Sequence, residues 1–137
     1  MKLKEEQIKE IAELLDCGMT CFYHLPTGKI DYHPDSEDPN FDPEPWKDIT
    51  DKIKNDWDNY ERFEKMDSNE GYRVMENFAR SLEDSGFKNK LLEGLSKPKP
   101  FWNFKSLVDW SDYRQEWFYF KGKAYNDHVK RQIKMKK

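Results

Sequence analysis

Long apolar runs are missing from this 137-residue chain. Nowhere does it approach the roughly 20 consecutive apolar residues that a membrane span requires. The opening stretch, MKLKEEQIKEIAELL, interleaves charges with aliphatics at helical spacing, so it does not read as the continuous apolar segment of a secretion signal. A cytoplasmic protein with no membrane association is expected. Cysteine is scarce: Cys17 and Cys21 are too few for a disulfide framework and fit a reducing compartment. Excess charge of one sign is lacking too, since 24 basic and 27 acidic side chains leave a net of -3. That balance argues against a dedicated duplex-DNA binder. Also absent are a GxGxxG turn, a phosphate-binding loop, an HExxH helix and a nucleophile elbow.

Aliphatic residues are few, and aromatic residues take their place. Phe, Tyr and Trp number 21, as many as Ala, Val, Ile and Leu together. Each aromatic buries roughly 150–250 Å², so a core can be assembled from few, large side chains. A folded single domain over residues 1–137 is expected.

Apolar spacing predicts a helix over residues 3–15, with Ile8, Ile11, Leu14 and Leu15 on one side and Gly18 as a left-handed stop. A β-hairpin follows, its strands flanking Pro26-Thr27-Gly28-Lys29. A turn centred on Thr27-Gly28 sets Leu25 opposite Ile30, His24 opposite Asp31, Tyr23 opposite Tyr32 and Phe22 opposite His33. Alternation then places Cys21, Tyr23, Leu25, Ile30 and Tyr32 on the core face. Residues 34–58 read as an acidic, proline-rich loop. From Asp31 to Glu61 there are 11 acids against 3 lysines, a local net of about -8. Residues 60–64 fit either a third strand or a helix end.

Asp67 and Glu70 have capping-box spacing and open a helix through residue 85, with Tyr72, Met75, Phe78, Ala79 and Leu82 inward and Gly86 as the stop. Short helices follow over 87–95 and 101–110, separated by Ser96-Lys-Pro-Lys-Pro100. Ser111 is expected to cap a last helix running into a basic tail over 130–137. There Tyr113, Trp117, Phe120, Ala124 and His128 share a face that Phe118, Tyr125 and Val129 widen. Lys121 falls inside that arc and reads as a snorkelling lysine or a local kink. The fold class is α+β: helix-rich, with a small antiparallel sheet built on the N-terminal hairpin.

Several of these segments occur in an order that is itself informative. They are Thr27-Gly28-Lys29-Ile30 after an N-terminal helix, Met75-Glu-Asn-Phe78, Pro100-Phe-Trp-Asn-Phe-Lys-Ser-Leu107 and Arg114-Gln-Glu-Trp117-Phe-Tyr-Phe120. With them the chain resembles the bacterial group called Uncharacterised Protein Family 0158. The resemblance spans most of the chain outside the acidic segment. It supports the fold and implies no established activity, substrate or catalytic residue.

Candidate chemistry is sparse. Cys17, Cys21, His24 and His33 are N- and S-donors, but their spacing is not that of a zinc finger or ribbon, and strand alternation separates Cys21 from His24. Asp38, Asn40 and Asp42 alternate like the first ligands of a calcium loop, yet Pro43 and Ile49 stand where such a loop needs glycine and glutamate. No metal, cofactor or catalytic residue is therefore assigned. His24 and Asp31 are expected to pair across the strands.

The basic, aromatic C-terminus is the stronger hint. From Lys97 onward there are 11 basic residues against 4 acids, and ten aromatics lie between Phe101 and Tyr125. Most recur at helical spacing, as core residues do. Trp102, Trp110 and Tyr119 are the ones that a core explains least. They form the candidate binding set together with Lys130, Arg131 and Lys134 and with Trp46 and Trp57 of the acidic segment. Trp46 and Trp57 could instead fold back over the sheet, which is expected of at least one. The leading expectation is a small non-catalytic interaction or regulatory module that binds a protein partner or a second copy of itself. Binding of single-stranded nucleic acid, RNA in particular, is the alternative. An enzyme with a site assembled from scattered residues comes third.

Overall fold

The structure is a computed structural model that describes residues 1–136. Lys137, the last residue of the expected basic tail, lies outside the described residues. Backbone contacts divide the chain into two compact units. One comprises Met1–Lys65 with the C-terminal residues from Tyr125; the other is Met66–Ala124. The fold is α+β, as the sequence pattern indicates.

The first unit opens with α1 (Glu5–Asp16), whose buried Ile8, Ile11, Ala12 and Leu15 recur at the spacing of one helical face. Gly18, at φ +90°, turns the chain into the first strand. Three antiparallel strands follow, β1 (Met19–His24), β2 (Ile30–Pro34) and β3 (Tyr60–Phe63), in the order β2-β1-β3. Residues 60–63 are thus a strand, one of the two forms their sequence allowed.

The hairpin register departs from the expected one. Tyr23 faces Ile30, Phe22 faces Asp31 and Cys21 faces Tyr32, two positions from the expected pairing. The turn is wider than a two-residue one. His24 N donates to Lys29 O at 2.8 Å, and Gly28 N, with Gly28 at φ +73°, donates to His24 O at 2.7 Å. Because the slip is even, every side chain stays on its expected face. Two of the expected core residues are nevertheless exposed: Leu25, which lies in the loop, and Tyr32 on the edge strand β2.

Both faces of β1 are covered, which is why Thr20, Cys21, Phe22 and Tyr23 are buried in succession. On one face Cys21, Tyr23 and Phe63 join α1 and Val129 in a continuous apolar cluster. On the other, Phe22 lies 5.1 Å from His33, 6.3 Å from Trp57 and 6.5 Å from Tyr60, measured between ring centroids. Trp57 in that cover comes from the segment expected to be a loop, as does Phe41, 6.0 Å from His33. Residues 34–58 contain α2 (Lys47–Asn55), entered through a short 3-10 turn (Glu44–Trp46). Ile53 of α2 is buried, and only Ile49 and Ile53 give this nine-residue helix its apolar side. Two apolar positions among charges are too weak a period to read from sequence.

The second unit is helical. Asp67 accepts Glu70 N at 2.8 Å while Glu70 Oε1 accepts Asp67 N, so the capping box opens α3 (Ser68–Ser81) as the spacing predicted. This helix ends four residues earlier than expected. Leu82 is extended, and Asp84 caps α4 (Ser85–Leu95) by accepting Phe87 N at 3.1 Å. Gly86 therefore sits in the first turn of α4 rather than stopping α3.

After α4 comes α5 (Pro100–Asp109), then α6 (Arg114–Met135), which carries the chain back to the first unit. Ser111 lies ahead of α6 rather than at its cap, accepting Tyr113 N and donating to Val108 O. Met75, Phe78, Leu82, Leu91, Leu95, Phe104, Val108 and Trp117 form the core. Phe78 meets Trp117 at 5.3 Å and Phe120 at 5.4 Å, and Phe104 stands edge-on to Trp117 at 4.8 Å. Lys121 places its ammonium 5.9 Å from the Trp117 ring, the snorkelling arrangement its position suggested. Phe118 does not widen the inward face: it is exposed, and the Arg114 guanidinium covers its ring at 4.9 Å.

Candidate functional site

Trp102, Trp110 and Tyr119 are 68%, 93% and 74% exposed, the three most exposed aromatics among the described residues. All belong to the second unit, where a helical hairpin positions the two tryptophans. Lys99, a non-glycine residue at φ 59°, ends the 96–99 link in a left-handed turn, and Pro100 starts α5 with its preset φ. Asn103 locks the turn from within, its Nδ2 donating to Gly94 O and Pro98 O, both at 2.9 Å. Gly94 lets α5 approach, because a Cβ there would come within 3.3 Å of both Asn103 Cβ and Leu107 Cδ1. From Ser85 to Val108 the hairpin carries five lysines and one glutamate.

Two shallow depressions open on this hairpin and share Lys90. The first, about 370 Å³, is lined by Trp102, Gly94 and Leu107 together with Lys90, Glu93, Lys97 and Asn103. Lys97 and Glu93 pair at 2.8 Å, and that contact holds the Glu93 carboxyl below its ordinary range. The second, about 420 Å³, is bounded by Phe87, Trp110 and Tyr113 with Asp84, Asp112 and Lys90. Tyr119 lines a separate depression of about 420 Å³ with Phe78, Gln115, Glu116 and Phe120. The sequence reading placed Trp102 and Trp110 among the candidates but missed Lys90, Asp84 and Asp112. Only the short-range lysine excess of residues 85–108 hinted at the first of these.

The other candidates lie in the first unit. Trp46 is half-buried beside Tyr32 at 6.3 Å, and Trp57 rests on Phe22 while remaining 54% exposed. Both therefore contribute to covering the sheet. Lys130 is 3.6 Å from Glu5, Lys136 is 3.8 Å from Glu61, and Arg131 and Lys134 are exposed. The aromatic and basic halves of the C-terminal pattern thus belong to different compact units.

The potential acid–base residues are also in the first unit. His24 does not pair with Asp31. Its Nε2 lies 2.8 Å from Asp56 Oδ2 and its Nδ1 2.7 Å from Thr27 Oγ1. Donating Nε2–H to the carboxylate leaves Nδ1 of a neutral ring to accept the Thr27 hydroxyl. His24 and then Asn59 hold the Asp56 carboxyl below its ordinary value. Asp31 instead accepts Tyr60 OH at 2.8 Å and pairs with Lys52 at 3.2 Å. Burial first, then the Asp31 hydrogen bond, pushes the Tyr60 hydroxyl up to about 12. A hydroxyl, an imidazole and a carboxylate stand in series here, but Thr27 Oγ1 also accepts Lys29 N and Gly28 N is bonded to His24 O. Gly28 N and Lys29 N are both committed to the turn, and the series ties the turn to Asp56.

Cys21 is buried, and burial followed by the Glu10 charge pushes its thiol up to about 12; Cys17 is exposed. His33 donates Nδ1–H to Pro34 O at 2.7 Å, and His128 donates to Glu64 O at 2.8 Å. Asp35, Asp38 and Asp42 each accept the backbone N–H two residues on, so the acidic segment is shaped by its own side chains. No helix among the described residues is long and apolar enough to cross a membrane.

Compared with known proteins, the chain matches the family model described as Uncharacterised protein family (UPF0158) over residues 3–134. No curated protein and no solved structure matches it.

Proposed function

The chain belongs to the uncharacterised protein family UPF0158, whose description assigns no activity, and from the geometry of its helical hairpin we propose that it is a non-catalytic interaction module that binds a protein partner in the cytoplasm. The observation that carries this reading is the pair of exposed tryptophans, Trp102 and Trp110, each beside a shallow depression and joined through Lys90. A large aromatic left in water is costly surface, and aromatic anchors beside polar rims are typical of protein interfaces. Charge favours protein over nucleic acid. One depression is lined by Lys90, Lys97 and Glu93 and the other by Lys90, Asp84 and Asp112, whereas a phosphate backbone wants one positive sign throughout. The free cysteines, one exposed and one buried, suit a reducing compartment.

The test places the photo-crosslinking residue p-benzoylphenylalanine at position 102 or 110 of the full chain in its native host. A discrete adduct with a protein is expected at both positions and not at exposed Lys123. An adduct of twice the chain's mass identifies the partner as a second copy. Absence of any adduct, or adducts that nuclease removes, refutes the reading.

A further inference from the structure

Resting on that reading, we propose that the depression at Trp110 is a subsite for an organic cation, the guanidinium of an arginine side chain that the protein partner presents. Trp110 closes α5 at 93% exposure and offers a π-face, the group that best attracts a cation. Phe87 and Tyr113 lie parallel beside it, ring centroids 5.1 Å apart and planes 12° apart.

Two carboxylates, Asp84 and Asp112, share the lining with one ammonium, Lys90, leaving the depression negative on balance. Asp84 is held in place from both oxygens: Oδ1 accepts Phe87 N at 3.1 Å and Oδ2 accepts Tyr113 OH at 3.3 Å. Each oxygen keeps a second lone pair for an incoming donor. The surrounding charge registers on Tyr113, whose hydroxyl is raised by burial first and then by Asp84, Glu116 and Asp112. Arg114, the cation nearest in sequence, is engaged elsewhere, over Phe118 at 4.9 Å and 3.7 Å from Asp109.

Arginine suits the site better than lysine. Its planar guanidinium stacks on an indole while its edge donates in parallel to a carboxylate, which a point-like ammonium cannot do. A volume of about 420 Å³ accommodates the end of one such side chain.

The experiment follows the Trp110 indole N–H by NMR in the full chain, identified by its loss in Trp110→Phe. N-acetyl-arginine methylamide is expected to shift it saturably, with a Kd of the order of millimolar or weaker. The neutral isostere N-acetyl-citrulline methylamide should leave it in place. Asp112→Asn, at an exposed position, should weaken the arginine effect about threefold, the size of one surface charge pair, with signal dispersion confirming the fold. An equal shift from citrulline, no shift from either compound, or a stronger response to an oligouridylate overturns the proposal. If arginine has no effect while position 110 still crosslinks to a protein, only the cation subsite falls. If arginine binds but no protein adduct forms, the protein-partner reading falls and the subsite stands.

Discussion

The His24 imidazole and the Asp56 carboxylate, 32 residues apart in the chain, meet with Nε2 2.8 Å from Oδ2. This contact fastens the hairpin turn to the segment that follows α2, the helix covering the second face of the sheet. Its pH dependence has a definite sign. The folded-state pKa of Asp56 is lowered, with His24 as the largest cause. A depressed carboxylate contributes stability that is present above its unfolded value and lost as pH falls through the folded one. Asp56→Asn should therefore lower the urea midpoint at pH 7, and the gap should close below the ordinary carboxylate value of 3.8. A gap that persists unchanged into strong acid would show that the pair contributes nothing electrostatic.

The two thiols should react very differently. Cys17 is exposed, while burial pushes the Cys21 thiol up to about 12, leaving it protonated and inaccessible in the folded chain. A disulfide-exchange reagent at mild alkaline pH is expected to titrate one thiol at once and the second only after denaturant is added. Two equally fast thiols would contradict the burial of Cys21.

Phe78 and Trp110 should lie at opposite ends of the stability scale. Phe78 is 2% exposed and sits among Phe104, Trp117 and Phe120. Phe78→Ala should cost about 3–5 kcal/mol in urea unfolding. Trp110→Ala, at 93% exposure, should change stability by no more than about 0.5 kcal/mol. A large loss at Trp110 would mean that the indole serves the fold rather than a partner.

Gly18 should resist substitution although nothing crowds it. A Cβ there would meet no atom within 4 Å, but the residue holds φ +90°. Gly18→Ala is expected to destabilise by about 1–2 kcal/mol through backbone strain alone. A neutral result in urea titration would mean that the turn relaxes to another conformation.

How far the fold could be read in advance varied with the length of the pattern. Ile8, Ile11 and Leu15 in α1, and Met75, Phe78 and Ala79 in α3, repeat often enough for the helical period to stand out. In α2 only Ile49 and Ile53 mark it, and proline-rich acidic sequence hides the start. The boundary between α3 and α4 was misplaced because Asp84 caps the second helix just where Gly86 suggested the end of the first. In the candidate site, Trp102 and Trp110 could be named because neither fits the apolar spacing of a core. Asp84 and Asp112 could not, because acids beside helix ends are ordinary and only their grouping around Trp110 sets them apart.

The balance of aromatics against aliphatics implied a folded chain with a core of few, large side chains, and the helical and strand spacing implied α+β. The large rings gather in the second unit, around Phe78, Phe104 and Trp117, while the first unit's core is mainly aliphatic. Those spacings act between residues a few positions apart, so they survive in the linear order. Three-dimensional packing settled the rest: the two-position slip of the hairpin, the cover over its second face, the choice of Asp56 over Asp31 as the partner of His24, and the exposure of Trp110. Each depends on which of several compatible neighbours packing brings within reach, and contacts across 32 residues of chain leave no period to read.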